Sequence, residues 1–71
     1  MKNLQSEIAL LPAEQLNWLT TIKNIFKPTV YYGTMDIKDL INAFKNKANE
    51  KHYSDILTLT NIYDFEEYFK N

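Results

Sequence analysis

Between Asp36 and Glu50 the apolar residues Ile37, Leu40, Ile41, Phe44 and Ala48 recur at i, i+3, i+4, i+7 and i+11. That spacing lines one side of an α-helix with hydrocarbon and leaves the other side polar. The start of the stretch is punctuated as a helix start. Asp36 is an N-cap residue type, Asp39 puts negative charge in the first turn, and Met35 stands where it can staple onto Leu40. A chain containing this helix must find a partner for its apolar stripe. The chain has 71 residues and no cysteine. A core this small is thin, and neither disulfide nor thiolate metal site is present to reinforce it. The reinforcement must come from close packing, self-association or a partner.

A second apolar periodicity precedes it. Pro12 suits the first turn of a helix, and Glu14 follows it there. Leu16, Trp18, Leu19, Ile22, Ile25 and Phe26 then cover a wide arc, so this helix is expected to be deeply buried. Lys23 and Lys27 suit its C-terminus, and Pro28 is expected to end it at about Lys27. Before Pro12, Leu4, Ile8 and Leu11 mark a short first helix that Asn3 can cap.

Thr29-Val30-Tyr31-Tyr32-Gly33-Thr34 is β-branched and aromatic and shows no helical period when taken alone. It reads as an ordered linker, or as a lone extended segment with Tyr31 and Tyr32 on opposite sides. After a turn at Lys51-His52-Tyr53, Ser54 is a candidate cap for a fourth helix containing Ile56, Leu57, Leu59 and Ile62. The alternation Leu57-Thr58-Leu59-Thr60 also fits a strand. A new start at Asp64, with Glu67 three residues on, opens a last helix bearing Phe65, Tyr68 and Phe69.

The expectation is an all-α fold: one domain over residues 1–71, an irregular bundle of four to five short helices. The expected core is Leu4, Ile8, Leu11, Leu16, Trp18, Leu19, Ile22, Phe26, Ile37, Leu40, Ile41, Phe44, Ile56, Leu59, Ile62 and Phe65. The N-terminal residues are too polar for a signal peptide, and no apolar run reaches membrane-spanning length, so a cytoplasmic protein is expected.

Chemistry is sparse. His52, Ser54 and Asp55 are the residue types of a hydrolase triad, but triad members converge from separate segments. Glu66 and Glu67 are neighbours in a helix and point about 100° apart, so they do not share a site. One histidine, no cysteine and one glycine provide neither a metal cluster nor a phosphate loop. No enzyme activity, cofactor or metal is expected.

Charge bears on the remaining choices. The net charge is −1, and every basic residue is lysine. Residues 36–52 carry Lys38, Lys45, Lys47 and Lys51 against Asp36, Asp39 and Glu50. Residues 53–71 carry Lys70 alone against Asp55, Asp64, Glu66 and Glu67. Arginine, with its bidentate fork, is absent. A DNA-binding regulator with a helix-turn-helix-like layout, reading through Lys38, Asn42, Lys45, Asn46 and Asn49, is therefore the secondary expectation. The primary one is a non-enzymatic protein-binding module: an inhibitor, adaptor or modulator of a protein partner. Its size and composition suit a phage or mobile element. One Trp, five Tyr and four Phe are many rings for a thin core, and tyrosine favours interfaces. The expected protein-binding residues are Tyr31, Tyr32, Tyr63, Glu66, Glu67 and Tyr68. A structural homo-oligomer, with Trp18, Ile25 or Phe26 in a dimer seam, is the third class.

Overall fold

A computed structural model describes residues 3–70, with five helices and no strand among them. They are α1 (Leu4–Ala9), α2 (Ala13–Tyr32), α3 (Ile37–Glu50), α4 (Ser54–Ile62) and α5 (Phe65–Lys70). The all-α bundle is as expected, with its apolar residues in one core cluster.

Local chemistry explains most boundaries. Asn3 Oδ1 accepts from the Ser6 N–H at 2.9 Å and caps α1. Asp36 Oδ1 accepts from the Lys38 N–H at 2.9 Å and caps α3, and Asp64 Oδ1 does the same for Glu66 in α5. Pro12 stands one position before α2 as its cap residue, where its missing N–H costs nothing.

Two of the expected helix boundaries fail. The first is the end of α2. The helix does not stop at Lys27; it runs through Pro28 to Tyr32, so residues 29–32 are neither linker nor strand. Val30 is half-buried against the core, which rewards the extra turn. Gly33, at φ 64°, then ends the helix: its N–H donates to Val30 O and the Thr34 N–H to Thr29 O, each at 3.2 Å. This is a Schellman closure, and it needs a left-handed residue that glycine supplies without steric cost. The second failure is the cap of α4. Ser54 lies inside the helix as its first residue, and Tyr53 at the cap position makes no side-chain capping bond. The cap comes from α2 instead. Gln15 Oε1 accepts from the Ile56 N–H at 3.3 Å, and Gln15 Nε2 donates to Asp55 Oδ2 at 3.1 Å. Glu14 beside it accepts the Tyr53 hydroxyl at 3.1 Å.

The strand-like Thr58 and Thr60 are helical too. Their hydroxyls donate back to the carbonyls of Ser54 and Leu57. The core is built on Phe44, which is fully buried. Its ring stacks on Trp18 at 5.7 Å and meets Phe65 at 5.3 Å and Phe69 at 5.1 Å. Trp18 turns its edge to Tyr53 at 5.3 Å, and Phe69 reaches Phe26 at 5.5 Å. Ala48, Tyr53, Tyr68 and Phe69 are buried in addition to the expected set. Leu4, Leu11, Leu16, Trp18, Ile37 and Ile41 pack at its edge, partly buried. Ile62 is the exception: at the last position of α4 it is 66% exposed, because the helix end passes beyond the core.

The α3–α4 corner repeats the Schellman pattern without glycine. His52 takes φ 60°; its N–H donates to Asn49 O at 3.1 Å, and the Tyr53 N–H donates to Ala48 O at 3.0 Å. An L-residue in this conformation costs roughly 1 kcal/mol. His52→Gly is therefore expected to stabilise the protein by up to about 0.5 kcal/mol, the relieved strain being partly offset by the added chain entropy of glycine. A higher denaturation midpoint at unchanged m-value would show this; a lower midpoint would mean that the corner is built otherwise.

Candidate protein-binding surface

Because α2 continues through Pro28, residues read as linker become the end of a helix with two contrasting sides. Leu19, Ile22 and Phe26 face the core. At about 100° per residue, Asn24, Pro28, Tyr31 and Tyr32 come round to the opposite side, with Ile25 and Lys27 flanking them. All six are exposed. Tyr31 is 81% and Tyr32 74% exposed, and Ile25 is 58% exposed. The two tyrosine rings meet edge to face at 5.0 Å, so adjacent residues on one helix end form a single aromatic step. With Asn24, Lys27 and Pro28 they line a shallow, mostly apolar groove of about 320 Å³.

Pro28 gives this groove a polar feature. It has no N–H, so the Asn24 carbonyl four residues earlier loses its usual helical donor. An acceptor thus lies under an otherwise apolar surface, available to water or to a partner's N–H.

The other expected protein-binding residues do not join this surface. Tyr68 is in the core, and the Lys23 ammonium stands 4.3 Å from its ring centroid. Burial pushes its phenol above the usual tyrosine value. A ring so placed is packing, which corrects its reading as a surface contact. Tyr63 is half-buried against the core cluster and lines a separate groove of about 220 Å³ with Lys45, Asp64 and Glu66. Glu66 is half-buried and Glu67 exposed. Tyr53 is buried; its phenol is pushed up first by burial and then by Glu14, whose carboxylate accepts a hydrogen bond from the hydroxyl.

Lys38, Asn42, Asn46 and Asn49 are exposed on the outer side of α3. Lys45 is half-buried and shares its groove with two acidic residues, a poor setting for phosphate. In α4, the second helix of that pair, Asp55 is the one charged residue. His52 and Ser54 are exposed, and Asp55 is held by Gln15, so the triad residue types do not assemble. Among the described residues no group of three or more His, Asp or Glu is placed to hold a metal ion. No helix among them is long and apolar enough to cross a membrane. Comparison with protein-family models, with curated proteins and with solved structures finds no match.

Pro28 and Asn24 were not expected at a site, and of the three residues expected in a dimer seam only Ile25 is exposed, Trp18 and Phe26 being packed into the core. The signal was present: Ile25, Pro28 and Tyr32 stand at i, i+3 and i+7, but the period is visible only if the helix is carried past Pro28. A proline inside a helix costs about 3 kcal/mol relative to alanine. Pro28→Ala is expected to raise stability by about 1–3 kcal/mol, read from urea denaturation. An unchanged or lower stability would contradict a helix that runs through this position.

Proposed function

We propose that this chain is a small non-enzymatic protein-binding module, acting in the cytoplasm as an inhibitor, adaptor or modulator, and that it binds through the outward end of α2. The observation that carries this reading is the pair Tyr31 and Tyr32, both largely exposed on a capped helix end. Seven of the ten aromatic residues, Trp18, Phe26, Phe44, Tyr53, Phe65, Tyr68 and Phe69, join the ring contacts of the core. Tyr31 and Tyr32 are left out of that cluster although the domain has little apolar area to spare. Tyrosine supplies contact area at low entropic cost, and its hydroxyl tolerates water until a partner arrives. The Schellman closure at Gly33 fixes the backbone under both rings, so less ordering is needed on binding.

The DNA-binding reading is weaker on physical grounds. Arginine is absent, the net charge is negative, and Lys45 sits beside acidic residues.

Tyr31→Ser/Tyr32→Ser, checked for native helicity by circular dichroism, is the direct test. Interface hot spots of this type contribute at least about 2 kcal/mol, so a captured partner should bind about 30-fold or more weakly to the double variant. Equal capture by variant and parent, measured side by side from the same host extract, would exclude this surface.

A further inference from the structure

The outward face of α2 is unusual along its whole length, not only at the tyrosines. An exposed helix face is normally charged; that of α3 carries Lys38, Asp39, Lys47 and Glu50. The face of α2 carries Glu14, in its first turn, and Lys27, at its margin. Its middle is Asn17, Thr20, Thr21, Asn24 and Pro28, all exposed and uncharged. The Thr20 and Thr21 hydroxyls donate inward to the carbonyls of Leu16 and Asn17, each at 3.0 Å. Their donors are thus satisfied within the helix, and the face is less polar than its sequence reads.

We propose that this face is the seam of a homodimer, in which a second copy packs its α2 antiparallel about a two-fold axis between Thr21 and Asn24. The proposal rests on the protein-binding reading above and names the partner of that surface. Three observations favour a second copy. The first is charge. A two-fold seam sets a surface against itself, so a charged face repels its copy and an uncharged one does not. In this register Glu14 lies about 25 Å along the axis from its own copy and Lys27 about 13 Å, each beyond a Debye length.

The second is shape. The antiparallel arrangement lays the bulky end, Tyr31 and Tyr32, over Glu14 and Ala13 of the other copy, where alanine leaves room for a ring and the carboxylate can accept from a phenol hydroxyl. Small residues at the centre let the two helices approach closely. The third is area. A standard interface takes about 800 Å² from each partner. Two largely exposed tyrosines supply on the order of 300 Å². Ile25, Pro28 and the remaining turns of a helix about 30 Å long supply the rest.

The register makes a specific test. Position 24 of one copy faces position 21 of the other, and each lies about 4.5 Å along the axis from its own copy. Sedimentation of the full chain between about 1 μM and 1 mM is expected to show monomer passing to dimer. Asn24→Glu and Thr21→Lys should each weaken self-association about 10-fold or more by like-charge contact. Mixed together they should recover it as a heterodimer. Asn42→Glu, on the outer side of α3, should leave it unchanged. A chain that stays monomeric throughout overturns the homodimer. If that monomer still loses a captured protein on Tyr31→Ser/Tyr32→Ser, the protein-binding reading stands with a different partner; if it captures nothing, both fall. A dimer broken by Asn42→Glu and untouched at positions 21 and 24 also overturns the proposal.

Discussion

The packing of Phe44 against Trp18, Phe65 and Phe69 is the contact on which the rest depends. It is where α2, α3 and α5 meet; the chain has no cysteine to cross-link it, and no metal-binding cluster is found among the described residues. Emptying a buried phenylalanine site costs about 3–5 kcal/mol. A domain of this length has only about 4–10 kcal/mol in total. The ring geometry adds to the burial, since edge-to-face and offset pairs contribute roughly 0.5–1.5 kcal/mol each beyond their area. A chain without disulfides thus concentrates its stability in a single aromatic cluster, reached by each of the three longest helices: through Trp18 and Phe26 in α2, Phe44 in α3, and Tyr53 at the start of α4.

Around that cluster α2 does three separate jobs. Its inner face supplies Leu19, Ile22 and Phe26 to the core. Its first turn supplies Glu14 and Gln15, which hold the start of α4 at Tyr53, Asp55 and Ile56. A helix of nine residues is marginal alone, and a cap brought from another helix ties its formation to the tertiary fold. The third side of α2 is left uncovered, and it is this side that carries the tyrosine step and the uncharged stripe. The organising helix is therefore α2, while α3, with the clearest periodicity, supplies the central ring.

What the sequence made legible follows from how local each cause is. The stripe from Ile37 to Ala48 and the Asn3 and Asp36 caps are decided within a few residues and are found as read; the apolar arc of α2 was read too wide, since Leu19, Ile22 and Phe26 are buried but Ile25 is exposed. The misreadings have non-local causes. Pro28 looks like a stop because its own ring disfavours the helix, yet the burial of Val30 and the closure at Gly33 carry the helix further. Ser54 looks like a cap because of its type, but the capping group is Gln15, forty-one residues from the amide it accepts. Tyr68 has the composition of a surface residue, and only the packing of α5 on α2 takes it inside. At the candidate surface, Tyr31 and Tyr32 were legible as contact residues but were placed on opposite sides of a linker or extended segment; their joint face with Ile25 and Pro28 exists only on a continuous helix.

The five tyrosines divide between frame and surface: Tyr53 and Tyr68 are buried, Tyr63 is half-buried, and Tyr31 and Tyr32 are exposed. Tyrosine-selective labelling of the dilute native protein, with each site quantified by mass spectrometry, tests this division most directly. Tyr31 and Tyr32 should react first, Tyr63 more slowly, and Tyr53 and Tyr68 only as the protein unfolds. Modification of Tyr53 or Tyr68 at the rate of Tyr31 in the folded protein would contradict the account.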